Sequence, residues 1–70
     1  MQARVSDPTL LPSLDAFLRR LGCVTEQIAP DRLLISIPGS LRGDAAEMML
    51  DLYLRLWAQE TAAGHAERVT

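Results

Sequence analysis

The sequence has few of the features that stabilise very small proteins. Its 70 residues include a single cysteine, Cys23, so no disulfide can form within the chain. His65 is the only histidine, and no Cys/His spacing resembles a structural zinc site, so no metal is expected. A chain of this length buries little surface on folding and is marginally stable alone. Oligomerisation is the remaining means of stabilisation, and we predict it.

The chain also lacks lysine and asparagine, and its seven basic residues are all arginine. Together with abundant alanine and leucine, this composition is typical of a GC-rich bacterial or phage genome. The net charge of -2 and the scattered arginines disfavour nucleic acid and anionic membranes as partners. No apolar run approaches the roughly 20 residues of a membrane span. No targeting segment is evident either, so we expect a cytoplasmic protein.

Local signals predict one small α+β domain over residues 1–70, with the element order α-β-β-α. The order of its parts is a lead-in over 1–11, a helix over 12–21, a β-hairpin over 23–37, a helix over 44–63 and a flexible tail over 65–70. No internal repeat and no low-complexity segment interrupts this order.

The first helix is indicated by apolar residues at helical spacing. Pro12 suits the first turn of a helix, where its missing N–H has no partner in any case. Gly22 is expected to end the helix in a left-handed conformation. The spacing i, i+3, i+4, i+7 places one apolar face at Leu14, Phe17, Leu18 and Leu21.

The hairpin is indicated by two β-branched runs that flank Pro30-Asp31. If Ala29 and Arg32 flank the turn, the expected pairs are Ile28 with Leu33, Glu26 with Ile35, and Val24 with Ile37. These six side chains would then share the core face. The opposite face would be mostly polar, with Cys23, Thr25, Gln27, Leu34 and Ser36.

The second helix is more apolar than a surface helix requires. Asp44 and Glu47 have the spacing of a capping box, and Gly64 is the expected stop. On a helical wheel the apolar arc covers roughly 240°, against the 100° or somewhat more that a surface helix needs. The arc divides into a first seam (Ala45, Met48, Met49, Leu52 and Leu56) and a second seam (Leu50, Leu54 and Trp57, with Tyr53 at its border).

A hairpin and one short helix can cover only one of these seams. We expect the partner-binding residues to be those of the second seam, Leu50, Tyr53, Leu54 and Trp57, because aromatic anchors dominate interface hot spots. In a symmetric dimer, two hairpins would also join into a four-stranded antiparallel sheet, which removes their open edges. The alternative is a monomer in which the first helix covers the second seam.

No residue set predicts catalysis or a cofactor. Glu26 falls on the apolar hairpin face, either as a buried carboxylate paired with an arginine of a second subunit or at an edge where it reaches water. Cys23 and His65 have no activating partner in sequence, so we expect no catalytic role for them. Arg42-Gly43-Asp44 spells an adhesion tripeptide, and Gly39–Gly43 resembles an anion-binding loop; an N-cap and a plain connection are the simpler interpretations.

The function predicted from these features is that of a non-enzymatic homodimeric protein-interaction module, an adaptor or an inhibitor. One alternative is a small nucleic-acid-binding regulator, which would require Arg19, Arg20, Arg32 and Arg42 to gather on one side. A second alternative is a ligand-binding or enzymatic dimer with a pocket between subunits that uses Glu26 and an arginine.

Overall fold

A computed structural model describes residues 1–39, 43–61 and 64–69, with residues 43 and 44 described by their backbone only. Six elements follow one another, and a short 3-10 helix at Pro8–Leu10 precedes the first helix. In chain order the elements are β1 (Gln2–Val5), α1 (Leu11–Arg20), β2 (Val24–Ala29), β3 (Arg32–Ser36), α2 (Gly43–Glu60) and β4 (Ala66–Val69). The predicted α+β class is confirmed, and its two helices are present.

The strands form one four-stranded sheet in the order β2-β3-β1-β4, and every neighbouring pair is antiparallel. This β-α-β-β-α-β order is the split β-α-β arrangement of ferredoxin-like folds. The predicted four-stranded antiparallel sheet is therefore present, but one chain supplies all four strands. A second hairpin is not needed to complete the sheet. Dimerisation stays a prediction, and completion of the sheet does not support it.

The expected lead-in over residues 1–11 contains β1, which is a central strand. Ala3 and Val5 are buried on the helix side of the sheet, and Arg4 between them is exposed. The backbone N–H of Val5 donates to the carbonyl of Asp31 at 2.9 Å, which extends the pairing toward the hairpin turn. A strand of four residues with one alanine is too short to give a clear period of two, so the sequence pattern did not reveal it.

The expected flexible tail over residues 65–70 contains β4, the edge strand beside β1. Its register places Ala66 opposite Val5 and Val69 opposite Gln2. The strand is held by tertiary contacts that local propensity cannot predict. The guanidinium of Arg68 reaches α2, where its Nε donates to Oδ1 of Asp51 at 3.0 Å. This hydrogen bond to Asp51 raises the pKa of Arg68 above its ordinary value.

Gly22 ends helix α1, as the sequence predicts. Gly22 has φ +90°, in the left-handed region. Its N–H donates to the carbonyl of Arg19, and the N–H of Cys23 donates to the carbonyl of Leu18, both at 3.0 Å. This pair of bonds is a Schellman motif. On the predicted apolar face Leu14, Phe17 and Leu18 are buried, whereas Leu21 is exposed.

The predicted hairpin register is wrong by one residue along β2. Ala29 pairs with Arg32 as expected, but the next pair is Gln27 with Leu33, so Ile28 is an extra, bulged residue. A shift of one residue turns every side chain of a strand to the opposite face. The structure therefore turns Cys23 inward and leaves Val24 and Glu26 exposed, while the predicted faces of β3 are correct.

Helix α2 packs on the covered side of the sheet through four buried residues, which we call the inner face of α2: Ala46, Leu50, Leu54 and Trp57. The indole Nε1 of Trp57 donates to Oγ of Ser13 at 3.2 Å, which joins α2 to α1. The helix ends at Glu60, before the predicted stop at Gly64. Gly64 is instead needed for close packing, because a Cβ there would lie 2.9 Å from Cη2 of Trp57.

A pair of adjacent leucines on β3 tests this assignment of the sheet faces. Leu33 is 1% exposed and Leu34 is 40% exposed. Leu33→Ala should lower the free energy of unfolding by about 2–5 kcal/mol, because it leaves a cavity in the core. Leu34→Ala should lower it by about 1 kcal/mol or less. Urea unfolding of both variants measures the difference, and equal losses would contradict the assignment.

Candidate interaction surface

The two seams of α2 lie in the opposite orientation to the predicted one. The second seam was assigned to a partner, yet Leu50, Leu54 and Trp57 are 0%, 3% and 1% exposed and belong to the core. Tyr53, at its border, is half-buried and packs against that core. Helical periodicity predicts two apolar faces but does not indicate which one packs against the sheet. That choice depends on long-range packing, including the hydrogen bond between Trp57 and Ser13.

The first seam faces outward, and we call it the outer face of α2: Ala45, Met48, Met49, Leu52 and Leu56. Its four large side chains are 72%, 38%, 49% and 42% exposed, in the order Met48, Met49, Leu52, Leu56. They follow one another along more than two turns of one helix and form a continuous apolar strip. Small soluble proteins rarely leave such a strip open unless something binds there.

Two different environments flank the strip, one beside β4 and one beside α1. On the side of β4, Arg68 binds Asp51 and also approaches Oε2 of Glu47 at 3.4 Å, so these carboxylates are neutralised within the chain. On the side of α1, a small groove separates the last turns of the two helices. Its lining residues are Phe17, Arg20, Leu21 and Glu60, and the exposed Leu21 extends the apolar surface beyond α2.

The open face of the sheet is a weaker candidate surface. Val24, Ile28 and Leu34 are exposed on β2 and β3, but charged groups separate the apolar side chains. Arg4 and Glu67 form a cross-strand ion pair at 2.5 Å on this face. All three aromatic residues of the sequence lie in the helices, so the sheet has no aromatic platform of the kind that stacks RNA bases.

Two of the four arginines that the nucleic-acid alternative requires, Arg19 and Arg20, have partners within α1. Nε of Arg19 donates to Oδ1 of Asp15 at 3.1 Å, within the same helix. The guanidinium of Arg20 lies 6.0 Å from the centre of the Phe17 ring. Arg42, the fourth member of the expected cluster, lies outside the described residues. A carboxylate beside an arginine removes much of the local positive potential that phosphates would find.

Strand pairing also creates a polar pocket that the sequence did not predict. Its volume is about 330 Å³, and its lining residues are Arg4, Val5, Ser6, Asp31, His65 and Glu67. These residues come from three segments that are far apart in sequence, and only the pairing of β1 with both of its neighbours brings the segments together. No local signal could have identified them.

The pocket contains a serine, an aspartate and a histidine, the residue types of a nucleophilic site. Activation of a serine requires a base within hydrogen-bond reach. In the described part of the chain, no hydrogen bond joins the side chains of Ser6, Asp31 and His65 to one another. Residues 1–39, 43–61 and 64–69 also contain no cluster of three or more potential metal ligands.

The remaining candidate residues have structural roles or lie elsewhere. Glu26 is exposed on β2, so the buried-carboxylate hypothesis depended on the wrong register. Cys23 is buried, and burial raises the pKa of its thiol. The two loop hypotheses, Arg42-Gly43-Asp44 and Gly39–Gly43, both depend on residues outside the described part of the chain, as does the capping role of the Asp44 side chain.

Comparisons with protein-family models, curated protein sequences and solved structures found no match for this chain. In the described ranges, neither helix has the length and apolar character that a membrane span requires. A shared topology does not imply a shared function, so the surface of this chain is the feature that bears on its function.

The buried thiol gives a direct test of the inward orientation of Cys23. Because its pKa is raised, less thiolate is present at any given pH, and access is also blocked. Reaction with a thiol reagent at pH 8 should be at least tenfold slower in the native protein than in the unfolded chain. Spectrophotometric labelling measures both rates, and equal rates would place Cys23 at the surface.

The same shift has a consequence for stability. A thiol whose pKa is raised by folding contributes stability that is complete below its ordinary pKa, about 8.5, and is lost as the pH rises through the folded value. The free energy of unfolding should therefore fall at alkaline pH in the wild type. In Cys23→Ala this part of the fall should be absent, whatever the effect of the substitution on stability at neutral pH.

Proposed function

We propose that this protein is a non-enzymatic protein-interaction module whose contact surface is the outer face of α2. The observation that supports the proposal is the strip of large, exposed apolar side chains at Met48, Met49, Leu52 and Leu56. The strip has no role in the core, because the inner face of the same helix already fills it. An adaptor or an inhibitor would use such a surface to bind another protein chain.

Leaving this strip in water has a cost in free energy. Complete burial of one large apolar side chain contributes about 1.5–3 kcal/mol. The four side chains are already partly covered, so burial by a partner would contribute only part of this free energy for each. Because the four are adjacent, one partner surface could cover all of them. A folded chain with a complete sheet gains nothing for its own fold by exposing them. Binding therefore explains the strip better than folding does.

Two other functions have less support. A nucleic-acid regulator would use a basic face or an aromatic platform, but Arg4 and Arg19 are paired with carboxylates and Arg20 lies over the ring of Phe17. An enzyme would need an activated nucleophile or a ligand set, which the pocket at Ser6, Asp31 and His65 does not supply. The arginine-only composition supports a bacterial or phage origin, and a cytoplasmic setting is part of the proposal.

Site-specific photo-cross-linking in the cells that naturally contain the protein tests this proposal. A photoreactive amino acid replaces Leu52 in one variant and Leu34 in a matched control. Both positions are leucines of similar exposure, 49% and 40%, on opposite sides of the molecule. Position 52 should give a discrete protein adduct, because it lies in the proposed contact surface, and position 34 should give none.

A second substitution in the same chain makes the result specific. Leu56→Glu introduces a charge one turn away on the outer face and should abolish the adduct at position 52 without unfolding the chain, because Leu56 is 42% exposed. An adduct at position 34 alone, or no adduct at either position, would contradict the proposal.

A further inference from the structure

We infer that the chain which covers the outer face of α2 is a second copy of this protein, with the two α2 helices parallel and in register. This inference depends on the proposed function and names its partner. It is a different dimer from the one predicted by sequence, because it joins the helix layers of two complete domains rather than the edges of two hairpins.

The spacing of the outer face fits a helix pair. Ala45, Met49, Leu52 and Leu56 are separated by four, three and four residues, which is the alternation of a and d positions in a heptad. Leu52 is at d, a position that leucine occupies in two-stranded coiled coils, and Met49 and Leu56 are at a. The inner face has a similar spacing, but its side chains are already buried against the sheet, so of these two faces only the outer one is open to a second helix.

The charges beside this strip are complementary only between two parallel copies. Arg55 is at the g position on one flank, and Glu60 is at the following e position on the other flank. In a parallel pair, each g residue faces the e residue five positions later on the partner helix. A twofold axis along the helices would therefore form two equivalent ion pairs, each between Arg55 and Glu60 of different copies. An antiparallel pair places like flanks together and does not form these ion pairs.

Both charges are available for such a contact. Asp51, four residues before Arg55, would be its natural helical partner, but Asp51 is bound to Arg68. Among the described residues, no carboxylate lies within 4.0 Å of the Arg55 guanidinium and no cation lies within 4.0 Å of Glu60. Arg20 lines the same groove as Glu60 but lies over the ring of Phe17.

Solution mass and charge reversal test the identity of the partner. Light scattering should give a dimer for the wild type, a folded monomer for Leu52→Glu and a dimer for the control Leu34→Glu. Arg55→Glu and Glu60→Arg should each weaken self-association about tenfold or more, because each places like charges together. An equimolar mixture of these two variants should form heterodimers with an affinity near that of the wild type.

Disulfide trapping tests the orientation. Ala45 and Gln59 are exposed and occupy d positions at opposite ends of the helix, so each meets its own copy only in a parallel, in-register pair. In a Cys23→Ala background, Ala45→Cys and Gln59→Cys should each form a cross-linked dimer alone. Cross-links that form only when the two variants are mixed would indicate an antiparallel pair and overturn the parallel arrangement.

The outcomes separate this inference from the proposed function. A wild type that is monomeric at millimolar concentration would overturn the second copy as partner. A dimer that Leu34→Glu dissociates and Leu52→Glu does not would also overturn it. Either result would leave the in-cell adduct at position 52 to decide whether the outer face binds some other protein.

Discussion

The contact between the inner face of α2 and one side of the sheet determines most of this structure. Leu50, Leu54 and Trp57 belong to one buried cluster with Ala3 and Val5 of β1 and Leu33 and Ile35 of β3. The sheet has one covered side, and α2 is the longer of the two helices that cover it. Because the helix is apolar over most of its circumference, packing one face here leaves another apolar face in water.

Other features of the fold support this contact. Arg68 joins β4 to the flank of α2 through Asp51, and the Trp57 indole joins α2 to Ser13 on α1. Gly64 lets the chain pass close to the indole before it enters β4. These contacts fix the rotation of α2 about its own axis. They therefore also fix which residues face outward, and the outer face is a consequence of how the core is filled.

Sequence reasoning was accurate where the signal is local. Gly22, the Pro30-Asp31 turn and the apolar spacing of both helices are determined by residues a few positions apart. It failed for β1 and β4, which are four residues long, have no clear alternation and become strands only by pairing with distant segments. The single bulged residue Ile28 reverses which side chains of β2 face the core. Hydrophobic pattern alone does not reveal such a bulge.

The sequence predicts that an apolar face of the second helix remains uncovered, but it indicates the wrong face. The excess of apolar residues on the second helix correctly indicated that one face would remain uncovered. The uncovered face is the opposite one to that predicted, because the indole of Trp57 has a hydrogen-bond partner inside the domain and is buried there. Which of the two apolar faces packs inward depends on the sheet. Two of its four strands, β1 and β4, lie in segments that the sequence predicts as a lead-in and a tail.

The most direct test of this account uses the methionines of the chain. Met48 and Met49 lie on the outer face of α2, whereas Met1 is half-buried against the core and serves as an internal reference. Peroxide oxidation, followed residue by residue with mass spectrometry, reports how accessible each sulfur is. Between low micromolar and millimolar protein, oxidation of Met48 and Met49 should slow relative to Met1, because association covers the outer face. Ratios that do not change with concentration would contradict the claim that a second copy covers the outer face.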